Sequence, residues 1–305
     1  MIYTITANPS IDYVLQLKQL TVGVVNRTQA DFKLPGGKGI NVSRILQELA
    51  IDSTAWGFVG GETGQMFTHM LQQHHLNTDF VTVSGDTRIN VKVKAEDEET
   101  EINGQGPAIS AAEKAALLDK VSQINAQDVV IMSGSLPLQL DNQFYLEIAQ
   151  LVKQLGAQFV IDTTGKALLD TLSLHPLVIK PNHHELAELF QTTFTDTKQI
   201  IAAAQKLLTQ GAQNVLVSMA GDGALLVTPE HAYQCNAPKE AVKNSVGAGD
   251  SMIAGFVGTW MQNQDPVASL HQGAACGSAT AFSEDLAQKA KIQEVYQKIK
   301  ITQIQ

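Results

Sequence analysis

The chain has 305 residues, of which 44% are hydrophobic and 17% charged, with a net charge of −9. That balance can bury a sizeable core, in one large domain or a large one with a small one, and it excludes a disordered chain. The acidic net charge disfavours non-specific nucleic-acid binding, no apolar run approaches the roughly 18 residues of a membrane span, and two cysteines without paired spacing, Cys235 and Cys276, argue against a disulfide framework or a Cys-rich zinc site.

In chain order, apolar runs predict strands at 2–7, 54–59, 128–132, 157–161, 177–180 and 213–218. Helical periodicity falls near 38–50, 64–76, 111–125, 141–155, 183–190 and 197–210, and the stretch 247–300 reads as helices broken by polar turns. This alternation predicts a mainly parallel sheet with helices on both faces. Two stretches break the rhythm. Residues 13–34 and 88–103 read as strands with no helix between them and are expected to form a small separate sheet, a lid that excludes water. The basic residues lean towards the first part. Residues 1–94 carry 8 Lys/Arg and 7 Asp/Glu, whereas 95–305 carry 13 and 23, so cations there are available for an anion. The N-terminal stretch has no basic leader followed by an apolar run, so the cytoplasm is the expected location.

Several familiar chemistries are absent. A Walker A loop needs Ser or Thr after Gly-Lys, but Gly39 follows Lys38. The dinucleotide fingerprint has Gly247 and Gly249 but Met252 in its third position. His184-Glu185 leads to Glu188 rather than the second histidine of a zinc protease, and Ser135 lacks the glycine that closes a hydrolase elbow.

Four glycine-rich or polar clusters remain. Gly247-Ala248-Gly249-Asp250 opens an apolar helix. Backbone N–H groups converging at a helix N-terminus can cradle a phosphoryl group, and Asp250 can accept the proton of an attacking hydroxyl. A plain turn and helix start would use the same residues. Pro35-Gly36-Gly37-Lys38-Gly39-Ile40-Asn41 precedes another amphipathic helix and permits close backbone approach to a ligand. Lys180-Pro181-Asn182-His183-His184-Glu185 follows an apolar strand, where open α/β sheets bind ligands. Asn182 and Glu185 can hold Mg²⁺ through water, or form a reciprocal helix cap, or both; His183 and His184 read as surface helix residues. Ser218-Met219-Ala220-Gly221-Asp222-Gly223 follows the next strand and fits either a nucleotide or a hairpin turn. Asp12, just beyond the first strand, can grip sugar hydroxyls. Arg27 and Arg88, in the two lid stretches, can each meet a phosphate bidentately.

Asn8–Asp12, Gly36–Asn41, Ser133–Pro137, Lys180–Glu185 and Ser245–Asp250, in this order along the chain, resemble the motifs of the PfkB (ribokinase-like) carbohydrate kinase family. The resemblance implies one kinase domain over 1–305, with a Rossmann-type three-layer α/β/α body, a small β-sheet lid and a homodimer formed through that lid. It implies ATP and Mg²⁺ as cofactors and a small sugar as substrate. Asp250 would be the catalytic base, and Gly247, Ala248 and Gly249 the anion hole. Lys180, Asn182 and Glu185 would organise the nucleotide and Mg²⁺, and Ser218, Gly221 and Gly223 would line the ATP site. Asp12, Gly37, Lys38 and Asn41 would hold the sugar, and Arg27 and Arg88 its existing phosphate. Asn244-Ser245 depart from the Asp-Thr that many members carry before the second signature. Within the family, Thr87-Arg-Ile-Asn-Val-Lys92 resembles the branch acting on fructose 1-phosphate, which implies formation of fructose 1,6-bisphosphate. The alternatives are tagatose 6-phosphate or another sugar as substrate, or a non-catalytic sugar-phosphate sensor on the same fold.

Overall fold

The computed structural model describes residues 1–96 and 98–305. Its elements run β1 (Ile2–Thr6), β2 (Ser10–Gln16), β3 (Ala30–Gly36), α1 (Lys38–Glu48), β4 (Ser53–Gly60), α2 (Gly61–Gln73), β5 (Asn77–Thr78), β6 (Val81–Val83), β7 (Arg88–Lys94), β8 (Glu99–Asn103) and α3 (Ala111–Ser122). There follow β9 (Val129–Ser133), α4 (Asn142–Gln154), β10 (Gln158–Asp162), α5 (Gly165–Leu172), α6 (His183–Leu189), α7 (Thr197–Thr209), β11 (Val215–Ser218), β12 (Ala224–Val227), β13 (Ala232–Cys235), α8 (Ala248–Asn263), α9 (Pro266–Ala281), α10 (Lys289–Tyr296) and β14 (Ile301–Gln303).

The main sheet grows from β1, which pairs in parallel with β4 on one side and β9 on the other, and β10 continues beyond β9. Its central strands are apolar on both faces because both faces are covered. Val130, Met132, Phe159 and Ile161 point into one core layer with Phe144, Ile148, Leu168 and Leu207 of α4, α5 and α7. Their alternate neighbours Val129, Ile131 and Val160 point the other way, against Val42, Ile45, Ile253, Phe256 and Leu270 of α1, α8 and α9. The period-2 switch between layers is what a strand imposes, and the outcome is the expected three-layer α/β/α body.

The stretch 177–180 is not the regular strand its apolar run predicts. Pro176 and Pro181 bracket it, and a proline cannot donate to a ladder. It is held instead by isolated parallel bridges, Ile161 to Ile179 and Ile179 to Val215. Leu177 N donates to Phe159 O at 2.8 Å, and Leu216 N to Ile179 O at 2.9 Å. This irregular link joins β10 to the antiparallel series β11-β12-β13-β14. Helix α5 and strands β12 to β14 are additions beyond the elements read from periodicity.

The small sheet has the order β3-β2-β7-β8. β2 pairs antiparallel with β3 and parallel with β7, and β7 pairs antiparallel with β8. It begins earlier than expected, at Ser10, so Asp12, just beyond β1, lies within one of its strands. Residues 17–29, expected as part of the sheet, are a connection between β2 and β3, with Leu17 buried at its start and the chain exposed from Thr21 onward. Among the described residues no helix is long and apolar enough to cross a membrane.

Candidate active site

Two helix starts face each other across the C-terminal edge of the main sheet. Helix α1 opens on Lys38 and α8 on Ala248, and Asn41 Nδ2 donates to Asp250 Oδ2 at 2.8 Å. Gly247 precedes α8 at φ +78°, a left-handed conformation, and a Cβ there would stand 2.6 Å from Leu286 Cδ2. Glycine meets both demands, and the resulting turn leaves the first N–H groups of α8 without intrahelical partners. Asp250 sits in that first turn, 6% exposed. Burial pushes its carboxyl up to about 6, helped by the nearby Asp162 charge and opposed by the Asn41 hydrogen bond, Lys38 and Lys180. A carboxylate tuned toward neutrality is suited to accept a proton.

Lys38 Nζ lies 2.9 Å from Asp162 Oδ2, and Lys180 Nζ lies 3.7 Å from Asp162 Oδ1. Burial raises the Asp162 carboxyl, but the Lys180 and Lys38 charges more than offset this and hold it below the ordinary carboxylate range. Lys180 Nζ comes within 2.8 Å of where a Cβ on Gly249 would be, so it lies over the first turn of α8. Cations are unfavourable at the positive end of a helix, and this arrangement suits a site that receives an anion.

Asn182 and Glu185 form the reciprocal cap. Asn182 Oδ1 accepts from the N–H groups of His184 and Glu185, at 2.9 Å each, and Glu185 Oε2 accepts from Asn182 N at 2.8 Å. Glu185 Oε1 carries no hydrogen bond among the described residues. No cluster of three or more His, Cys, Asp or Glu that could hold a metal directly occurs among them, so the residues fit an ion held through water and substrate oxygens rather than a protein cage. The His183 and His184 ring centroids lie 3.9 Å apart with the rings tilted by 40°, and His183 Nδ1 is buried without a partner among the described residues; only His184 matches the exposed reading. Ser218 bridges to Asn182. Gly221 has open space around it, whereas a Cβ on Gly223 would stand 2.0 Å from Cys235 O. The fold therefore demands Gly223 for strand approach, whatever binds nearby.

On the small sheet, Asp12 Oδ1 accepts from Ser10 Oγ at 2.7 Å and Asn90 Nδ2 at 3.0 Å, while Oδ2 lies 3.4 Å from Lys92 Nζ. Arg88 is half-buried and pinned. Its Nε donates to Asn8 O at 3.1 Å, Nη1 to Gly104 O at 3.0 Å and Nη2 to Ser135 Oγ at 3.3 Å. It forms no salt bridge among the described residues. Arg27 is exposed in the 17–29 connection and makes no hydrogen bond or salt bridge among them, so Arg88 and Arg27 are not brought together here. A cavity of about 260 Å³ between the small sheet and the body is lined by Asp12, Asn41, Lys92 and Lys243. A larger one of about 550 Å³ near His74 and Phe282 includes none of Asp12, Lys38, Asn41 or Asp250; the smaller includes Asp12 and Asn41 but not Lys38, Arg88 or Asp250, so it covers only part of the candidate site. Sequence reading assigned no role to Asp162, Ser135, Asn90 or Lys92. Three of them lie in or beside motifs already quoted, but Asp162 stands one residue past the predicted end of its strand.

The pattern of the pfkB family carbohydrate kinases matches residues 5–292. The chain is 46% identical over 304 residues to a 1-phosphofructokinase of Bacillus subtilis (strain 168), covering 100% of both. It is 37% identical over 305 residues to a D-tagatose-1-phosphate kinase of Bacillus licheniformis, again covering 100% of both. Among solved structures it resembles phosphofructokinase-2 from Escherichia coli in complex with fructose-6-phosphate, with a TM-score of 0.91, 29% identity, and 97% and 98% of the two chains covered.

Proposed function

The chain belongs to the pfkB family of carbohydrate kinases, and from that premise we propose that it transfers the γ-phosphoryl group of ATP to fructose 1-phosphate, giving fructose 1,6-bisphosphate and ADP. One observation carries the phosphorylated substrate: the Arg88 guanidinium, fixed by two backbone carbonyls yet without a carboxylate partner among the described residues. A fixed cation lacking an anion is a ready phosphate site. The choice of fructose 1-phosphate is supported by the full-length likeness to the Bacillus subtilis 1-phosphofructokinase.

In this reading Asp12 and Asn41 orient the sugar, and Asp250 takes the proton of its C6 hydroxyl as that oxygen attacks the γ-phosphorus. The N–H groups at Gly247, Ala248 and Gly249 meet the equatorial oxygens, Lys38 and Lys180 neutralise growing charge, and ADP leaves in line. Mg²⁺, held through water near Glu185 and Asn182, would neutralise the nucleotide phosphates. Ser218 and Gly221 flank the nucleotide, with Gly37 giving close approach beside the sugar. The small sheet closes over the acceptor side as a lid. Its exposed Ile89 and Ile102, on the face away from Asp12, support pairing with a second copy through this sheet, and a cytoplasmic location belongs to the same reading, since ATP and sugar phosphates are its substrates.

The test is ADP release with fructose 1-phosphate, fructose 6-phosphate, tagatose 1-phosphate and tagatose 6-phosphate side by side. Fructose 1-phosphate is expected to give the highest kcat/KM. A higher value with any other sugar replaces it as the substrate, and no release with any of them points to a sugar-phosphate sensor.

A further inference from the structure

Asp162 touches neither place assigned above to a substrate, yet two lysines assigned to opposite halves of the site converge on it. Its two oxygens are divided between them: Oδ2 holds Lys38 at 2.9 Å, from the first residue of α1, and Oδ1 faces Lys180 at 3.7 Å, from the irregular stretch between β10 and β11. Neither lysine has a second carboxylate partner among the described residues. Both also stand at helix N-termini, Lys38 at α1 and Lys180 over Gly249 of α8, where the helix dipole opposes a cation. Two ammonium groups in that field need a common counter-ion to stay aimed at one point. Asp162 can supply it because β10 ends there, in register with Ser133 of β9, on a strand buried on both faces that cannot shift. The Lys38 contact is at hydrogen-bond length, whereas 3.7 Å leaves Lys180 free to turn toward an incoming phosphate.

We propose that Asp162 is a positioning residue serving both half-sites, keeping Lys38 aimed at the sugar side and Lys180 at the nucleotide side of the α8 N-terminus. The inference rests on the assignment of those lysines under the proposed kinase reaction. It also bears on Asp250, which is faced by Lys38 and Asn41 from α1, by Lys180 from the linking stretch and by Asp162 from β10. With Asp162 neutralised, a repelling charge is gone and the attraction of the two lysines for Asp250 is no longer shared with Asp162. Both changes favour its ionised form.

The experiment compares the full-length chain with its Asp162→Asn variant, with folding checked by thermal melting. KM is expected to rise about tenfold or more for both ATP and fructose 1-phosphate, the scale of losing a charge-assisted hydrogen bond, and the acid limb of kcat to move to lower pH. In a Lys38→Met background, adding Asp162→Asn should change the sugar KM less than twofold while the ATP KM still rises. A folded Asp162→Asn protein with both KM values within twofold of wild type, or with only one raised, overturns the proposal. If that variant does not fold, Asp162→Glu keeps the charge but cannot span both ammonium groups, and two unchanged KM values there overturn it equally. ATP affinity measured by titration calorimetry without sugar tests the nucleotide half even if no phosphosugar is turned over. That absence of turnover would refute the substrate reading alone.

Discussion

Replacing Asp250 with asparagine should destroy activity and stabilise the fold at once. The side chain is almost fully buried, and its carboxyl stands at about 6 against an ordinary 3.8. A displacement of that size costs about 3 kcal/mol at neutral pH, at about 1.4 kcal/mol for each pH unit. The sign follows from proton binding. Between 3.8 and about 6 the folded chain binds more protons at Asp250 than the unfolded chain, so stability is greatest below 3.8 and is lost as pH rises through about 6. Asparagine mimics the neutral form and can still accept the hydrogen bond from Asn41 Nδ2. Asp250→Asn is therefore expected to gain up to about 3 kcal/mol at pH 7.5, roughly 5 °C or more in Tm, and the gain should shrink to about 0.5 kcal/mol at pH 4. Turnover should fall at least about a hundredfold, the scale of a lost general base, with sugar-phosphate binding within a few-fold. Thermal or urea melts of both proteins at several pH values, with ADP release in parallel, supply the comparison. A variant no more stable than wild type at pH 7.5, or a gain undiminished at pH 4, would refute the reasoning from burial; ordinary turnover would remove Asp250 as the base.

Two further perturbations separate the halves of the site. Arg88→Ala should raise KM for the phosphosugar at least about tenfold and leave that for ATP within twofold; initial-rate kinetics with each substrate varied decides, and an equal effect on both removes Arg88 from the phosphate site. In the wild type, kcat should fall as pH drops through about 6. Asn41→Ala removes the hydrogen bond that favours the ionised Asp250 carboxylate, so this acid limb should move to higher pH, and an unmoved limb in the pH–rate profile would separate Asn41 from the base.

The layered body was legible because burial on both faces writes a continuous apolar run into β9 and β10, and period 3.6 into α1, α4 and α7. The reading failed where a local rule competed with the run. In 177–180 the apolar residues are buried as a strand would be, but the flanking prolines break the ladder. The connection 17–29 carries Val22, Val24 and Val25, which look like strand residues yet are exposed. β12 to β14 are short, and their pairing partners are fixed by the sheet edge rather than by their own periodicity.

The site was legible at its glycines and opaque at its electrostatics, for one physical reason. A glycine turn is a local property and is visible in four consecutive residues. The contacts that tune the chemistry are not local: Asn41 and Asp250 are 209 positions apart, and Lys38 and Asp162 are 124 apart. Neither member of either pair announces its partner in the sequence. Together with Lys180 they put two cations and two carboxylates around two helix N-termini, an arrangement whose costs, a raised carboxyl at Asp250 and ammonium groups set against helix dipoles, are hard to justify by stability. Such costs are expected where folding has been traded for reactivity. Gly223 shows the converse. It reads as part of a nucleotide cradle, but the 2.0 Å approach to Cys235 O means the fold requires a glycine there with or without a ligand, so the residue type at 223 by itself does not speak for the nucleotide.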